Sequence, residues 1–299
     1  MTWTARRERG SRALLVVAFW IVRQFGWHAG QALLAPITVY YYAFSPVTRR
    51  VSRDYLRRVL NRPVRRADVL RHIFTFACVL LDRVFFLSGR TDAYRIDVEN
   101  LEAITAPLAA GQGCVLLGAH VGSFDMLRAF GRASPVPVNP VMFRDAAGVF
   151  SRLVERIDPE LARRVIDIEA PGAVLRVQEA VRRGEIVGFL ADRAAEQPDR
   201  TVALPFLGGT ADFPTGPMVI AHLLRAPVVL FYGIRTGPRR YTAKFEVFAD
   251  SIKLRRAERT EDTRAAMQVY ADRLATICQA HPYNWFNFYD FWHAPRNDA

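Results

Sequence analysis

The stretch CVLLGAHVGSFD, residues 114–125, decides how this chain is read. Its first seven residues form an unbroken apolar run ending on His120. A strand that is apolar throughout belongs in a parallel sheet covered by helices, because an antiparallel strand with one wet face alternates instead. Residues 121–125 then turn towards a following helix and put Asp125 five positions beyond the imidazole. A lone histidine near a core is most often a satisfied structural residue. A carboxylate within reach of its ring makes it a candidate base. Asp125 is expected to fold back and accept the Nδ1 proton, which fixes the tautomer and leaves Nε2 to take a proton from a substrate.

The flanking sequence repeats the alternation. Helical patterns at 126–132, 147–157 and 172–184 interleave with strand patterns at 136–143, 164–168 and 185–192. Strands at 226–235 and 241–250 and a helix at 264–281 follow. Residues 51–107 read as helical, beginning with a basic amphipathic stretch. The expected fold is therefore α/β, a mostly parallel central sheet flanked by helices. Ligand crevices in such sheets lie at the carboxyl ends of the strands, where His120 falls.

The N-terminus is different. Arg6, Arg7, Arg9 and Arg12 precede an apolar run at 13–22, Arg23 and Gln24 interrupt it, and residues 25–44 carry no formal charge. A full span needs roughly 20 apolar residues. The two runs join as one tilted helix or lie as a hairpin in the membrane interface, with Trp3, Trp20, Trp27 and Tyr40–Tyr42 as interfacial aromatics. The expected division is residues 1–50 as a membrane-associating segment and residues 51–299 as the catalytic domain. Arginines on both sides of the apolar runs place that domain on the cytoplasmic face.

The formal net charge of +12 comes almost entirely from arginine, Lys244 and Lys253 being the only lysines. Such a surface attracts anions, whether phospholipid headgroups or an acidic protein. No zinc-finger spacing, RNA-binding aromatic signature or basic dimerising helix supports nucleic acid as a partner. Cys78, Cys114 and Cys278 share no short spacing and read as buried thiols of a reducing compartment. Cys114 is also too far from His120 to pair with it, about 20 Å along a strand. The six histidines form no metal-ligand pattern, and nothing near His120 resembles a serine or cysteine nucleophile elbow. A base without a protein nucleophile suits direct attack by a substrate hydroxyl.

Several stretches together resemble the lipid A biosynthesis acyltransferases, bacterial enzymes that move a fatty acyl chain from acyl carrier protein to a lipid. They are RRERGSR near the start, LLGAHVGSFD, MFRD at 142–145, GEIVGFLADR at 184–193, and LPFLGGTADFPTGPMVIAHLLRAPVVLFYGIR at 204–235. The resemblance implies a lipid hydroxyl as acceptor, an acyl carrier protein thioester as donor, the inner membrane as location, and neither a metal nor a diffusible cofactor. It makes His120 and Asp125 the catalytic pair, with aspartate where many relatives have glutamate. It places Asp192, Arg144 and Arg156 among substrate-binding residues, with Arg152 or Arg163 as alternatives to Arg156. Asp192 fits equally a helix cap or a salt bridge to Arg193, and each arginine taken singly fits a solvated surface charge. Gly216 marks a helix N-terminus whose N–H groups can bind a phosphate or shape an acyl groove, or simply close a tight loop. The end of the chain departs from the resemblance: HPYNWFNFYDFW, residues 281–292, fits a subgroup acting on other glycolipids or aryl-polyene lipids, and otherwise reads as a tail packed over the core. Two alternatives remain: a glycerol-phosphate-type acyltransferase, although no PEGT-like phosphate motif is present, and an inactive membrane scaffold of the same fold.

Overall fold

A computed structural model describes residues 12–127, 137–142, 155–194 and 200–292, with residues 12–25 as backbone only. Three helices come first: α1 (Arg12–Phe44), α2 (Pro46–Val59) and α3 (Arg66–Leu87). Then follow β1 (Arg95–Glu99), α4 (Glu102–Ala109), β2 (Cys114–Gly118), a 3₁₀ turn at Phe124–Met126, and β3 (Val138–Met142). The second half holds α5 (Pro159–Arg164), β4 (Ile166–Asp167), α6 (Ala173–Arg182) and β5 (Ile186–Leu190). It continues with the hairpin β6 (Thr201–Phe206) and β7 (Gly209–Pro214), α7 (Gly216–Leu224), β8 (Val228–Gly237), β9 (Arg240–Ala249) and α8 (Arg259–Ala280).

Seven strands form one sheet in the order β1-β9-β8-β2-β5-β3-β4. Only the β8–β9 pairing is antiparallel, so five strands run one way and the edge pair β9 and β1 the other. β2 is buried along its whole length between β8 and β5. Its alternate side chains serve two cores: Val115 and Leu117 pack into one cluster, Cys114 and Leu116 into the other. Both faces of the sheet are therefore dry, which is what an unbroken apolar strand requires.

One expectation changes. Residues 95–99 are an edge strand inside a stretch read as helical; RIDVE alternates apolar and charged residues because one side of an edge faces water. α1 breaks at Gly26, whose φ of +77° leaves the helical region, and no helix among the described residues is long and apolar enough to cross a membrane. The division expected at residue 50 falls inside α2, whose Tyr55, Leu56 and Val59 lie in the main core. The helical patterns at 126–132 and 147–157 lie largely outside the described residues.

One buried carboxylate ties the N-terminal helices to the sheet. Asp82 of α3 accepts hydrogen bonds from Trp27 Nε1 of α1 (2.7 Å), Tyr94 Oη (2.7 Å) and Tyr241 Oη of β9 (2.8 Å), and Arg235 Nε of β8 lies 3.5 Å away. A fully buried charge persists only when satisfied in this way. Asp82→Ala should lower unfolding free energy by about 3–5 kcal/mol, because it strands the Arg235 guanidinium and three donors, of which Trp27 and Tyr241 are buried. Urea titration of both proteins measures the loss; a change below 1 kcal/mol would mean that water replaces the carboxylate.

Candidate active site

His120 and Asp192 are brought together by strand register. β2 and β5 are adjacent and parallel, with Gly118 opposite Leu190. Each strand is followed by one alanine and then the polar residue, so His120 and Asp192 arrive side by side at the carboxyl edge. Ala191 N–H donates to Gly118 O (3.0 Å) and holds the two ends in step.

The imidazole Nδ1 lies 2.7 Å from Asp192 Oδ1, and His120 N–H donates to Asp192 Oδ2 at 2.9 Å. The expected Asp125 partner is elsewhere. Its Oδ2 pairs with Arg83 Nε of α3 at 2.6 Å, and no hydrogen bond or ion pair joins it to His120. Five residues of turn carry Asp125 into the 3₁₀ turn over α3, whereas Asp192 reaches the ring directly from the neighbouring strand. Asp192 in turn is fully buried, so its place is behind the histidine instead of in contact with substrate.

The aromatic end of the chain completes this arrangement. Trp285 Nε1 and Asn287 Nδ2 each donate to Asp192 Oδ2 at 2.9 Å. Asn287 Oδ1 accepts from Arg193 Nε (2.7 Å), and Phe286 O accepts from the same guanidinium (2.9 Å). Backbone bonds lace the segment to the histidine loop: Phe286 N–H to His120 O (2.8 Å) and Gly122 N–H to Asn284 O (2.7 Å). On the other side of that loop, Ser123 N–H donates to Gly233 O of β8 at 2.8 Å. Space there is so tight that a Cβ on Gly122 would stand 1.9 Å from Gly233 O, and Gly122 itself has φ +55°. The segment read as a tail or a subgroup marker is thus part of the site. His120 keeps about a quarter of its side chain exposed, the remaining face through which Nε2 can be reached.

Electrostatics set the resting charges. Burial alone would raise the Asp192 carboxyl, but the His120 ring, Arg193 and the N–H donors outweigh it and hold the acid well below the usual carboxylate range. Burial, then Arg193, lowers His120 below the ordinary imidazole value; Asp192 opposes the shift and Arg83 adds to it. The ring is neutral and the acid ionised at neutral pH, the state of a base ready to accept a proton.

Of the other candidates, Arg156 is exposed and makes no hydrogen bond or ion pair among the described residues. Gly216 opens α7 as expected, in the chain after the β6–β7 hairpin. Arg163, within α5, is exposed, and Arg144 and Arg152 lie outside the described residues. No group of three or more His, Cys, Asp or Glu residues is placed to hold a metal among the described residues.

The fold and this pair define an α/β enzyme with a carboxylate-supported histidine at the centre of a parallel sheet. The chain belongs to the bacterial lipid A biosynthesis acyltransferase family, whose sequence profile matches residues 11–294, and it is an acyltransferase. No curated protein matches the chain.

A second histidine holds the C-terminal segment from behind. His72 Nε2 donates to Trp285 O at 2.7 Å, and its Nδ1 lies 2.8 Å from Ser52 Oγ. Burial depresses this ring to about 4 from 6.5, against the pull of the Trp285 carbonyl. The folded state carries it neutral, so its contribution to stability is complete above pH 6.5 and is lost as the pH falls through about 4. The shift corresponds to about 3 kcal/mol. His72→Gln should flatten the dependence of unfolding free energy on pH across that window; equal slopes in the two proteins would show that the ring titrates alike in both states.

Proposed function

We propose that the chain transfers a fatty acyl group from an acyl carrier protein thioester to a hydroxyl of a membrane glycolipid such as a lipid A precursor. The observation that carries the reading is His120, fixed through Nδ1 by a buried carboxylate and open at Nε2. Nε2 takes the proton of the acceptor hydroxyl as its oxygen attacks the thioester carbonyl. Asp192 stabilises the imidazolium so formed. The tetrahedral intermediate then collapses, the C–S bond breaks, and the imidazolium returns its proton to the departing thiolate. The products are an ester and a free thiol, and no covalent enzyme intermediate is needed.

Two surface features support the substrates. An open groove of ≈ 690 Å³ is lined by Arg49, Arg50, Arg53, Arg57 and Arg66 together with Tyr42 and Asp290. Beside it, Tyr40 and Phe44 at the end of α1 are 59% and 71% exposed, which suits an apolar edge resting in lipid with arginines at the phosphate level. The same positive surface suits an acidic carrier protein. We place the enzyme at the cytoplasmic face of the inner membrane.

His120→Ala should reduce acyl transfer from lauroyl-acyl carrier protein to a detergent-dispersed lipid A precursor by a factor on the order of 10² to 10⁴, the usual worth of a general base. Asp192→Asn should be impaired in kcat more than in KM. Near-native turnover of His120→Ala would end the mechanism. The rate should also fall as salt shortens the Debye length below about 8 Å, chiefly through KM for the carrier protein. If lauroyl-coenzyme A is the better donor at every salt concentration, the carrier-protein assignment is wrong.

A further inference from the structure

The arginines of α2 divide into two groups. Arg49 donates to Tyr42 O and Ala43 O, among the last carbonyls of α1, and its guanidinium lies 5.5 Å from the centre of the Tyr42 ring. Arg50 pairs with Asp290 Oδ2 at 2.7 Å. Arg58 lies over the Trp292 ring at 4.2 Å and donates to Leu207 O at 3.2 Å. Arg53 and Arg57, by contrast, make no hydrogen bond or ion pair among the described residues, and Arg53 Nε is buried without a partner. They stand one turn apart on the same face of α2, where like charges repel. Arg66, the first residue of α3, is equally without a carboxylate among the described residues.

All three line the open groove of ≈ 690 Å³, a volume within the roughly 300–1,000 Å³ of small-ligand sites. The two carboxylates in its wall are taken, Asp290 by Arg50 and Asp54 by Arg58 at 3.4 Å. A buried N–H without a partner is rare in folded proteins and calls for an acceptor. Guanidinium forks match phosphate oxygens closely, so the acceptor that fits is a phosphate. The rim of the groove says what carries it. Tyr42 lines the groove, and Val39, Tyr40, Tyr41 and Phe44 beside it on the last turns of α1 are exposed, with the Tyr40 and Phe44 rings 4.9 Å apart. An acidic protein would leave these apolar side chains in water. A lipid gives its headgroup to the arginines and its chains to the apolar face. No residue of the groove wall bonds to His120 or Asp192, so the lipid held here is a neighbour of the reaction and not its acceptor.

We propose that this groove binds the phosphate headgroup of an anionic membrane phospholipid, with Arg53, Arg57 and Arg66 on the phosphate oxygens. Arg50 of the same wall pairs with Asp290, three residues beyond the Asn287 that donates to Asp192, so the lipid is held on the frame that carries the base. The inference rests on the membrane location proposed above and not on the acyl-transfer chemistry.

Vesicle sedimentation of the full chain tests it, with vesicles of phosphatidylcholine alone and vesicles in which about one lipid in five is phosphatidylglycerol. Wild type should bind the anionic vesicles more tightly. The triple variant Arg53→Gln, Arg57→Gln, Arg66→Gln should lose on the order of 10²-fold in affinity for them and keep its affinity for the neutral ones. A control variant, Arg176→Gln, Arg182→Gln, Arg264→Gln, removes the same charge from exposed positions on α6 and α8 and should lose less than about 3-fold. Asp54→Asn, which takes a negative charge out of the groove wall, should tighten anionic binding about 5-fold. Equal losses in the two triple variants would reduce the effect to diffuse net charge and overturn the site. So would unaltered vesicle binding by the groove variant together with a raised KM for acyl carrier protein or for the acceptor, which would make the groove a substrate surface. No tightening in Asp54→Asn would overturn it without depending on how well the arginine variant folds. A wild type that binds neither vesicle would overturn the membrane location as well.

Discussion

A fully buried carboxylate, Asp192, is the constraint on which the site depends. A bare charge in this position would be prohibitively costly, and proteins keep one only where hydrogen bonds replace its lost water. Four donors do so: the His120 amide and ring, the Trp285 indole and the Asn287 amide. They come from parts of the chain far apart in sequence. Satisfying one acid therefore fixes the end of β2, the end of β5 and the segment 284–287 relative to each other. The same bonds that stabilise the ion orient the base, so folding and preorganisation of the site are one event here.

Asp82 on α3 repeats the device, with an indole, two phenols and a guanidinium as its partners. The two networks are connected. Arg235, whose side chain approaches Asp82, also offers its backbone N–H and carbonyl to the Asn284 side chain at 2.8 and 3.2 Å. Asn284 O then receives Gly122 N–H from the histidine loop. A line of direct contacts thus runs from Trp27 on α1 to His120. The helix that carries the exposed Tyr40 and Phe44 is bolted to the frame that carries the base, which keeps the site in a fixed position relative to whatever α1 rests on.

Much of this was legible in the sequence, for reasons that also explain what was not. Apolar runs without alternation exposed β2, β5 and β8 as interior strands, and Gly184 marked the end of α6. His120 stood out because a titratable ring ended the most apolar run. Its true partner was harder to see. LLGAH and GFLAD place their polar residues at equal offsets, the signature of two strands in register, but strand order is not written in sequence, and β3 and β4 intervene between β2 and β5. The HxxxxD spacing offered a nearer carboxylate, and Arg83, which claims that carboxylate, is one arginine among many. β1 was hidden by its charged outer face. At residues 281–292 the aromatic density read as tail packing and masked Asn284 and Asn287, the polar residues that give the segment its role.

Charge balance explains why such a crowded site can work. Among the described residues, the charged groups that act on the His120 ring are Asp192, Arg193 and Arg83, and Arg83 is itself paired with Asp125. Burial first, then Arg193 and, least, Arg83, makes an isolated imidazolium costly, and Asp192 opposes the shift without cancelling it; the base therefore has little tendency to pick up a proton from solvent. In the proposed reaction the imidazolium never forms alone. The proton reaches Nε2 as negative charge arrives on the carbonyl oxygen, so the two charges form together. A buried site that makes an imidazolium costly alone, but tolerates it beside a developing anion, favours concerted attack over stray protonation.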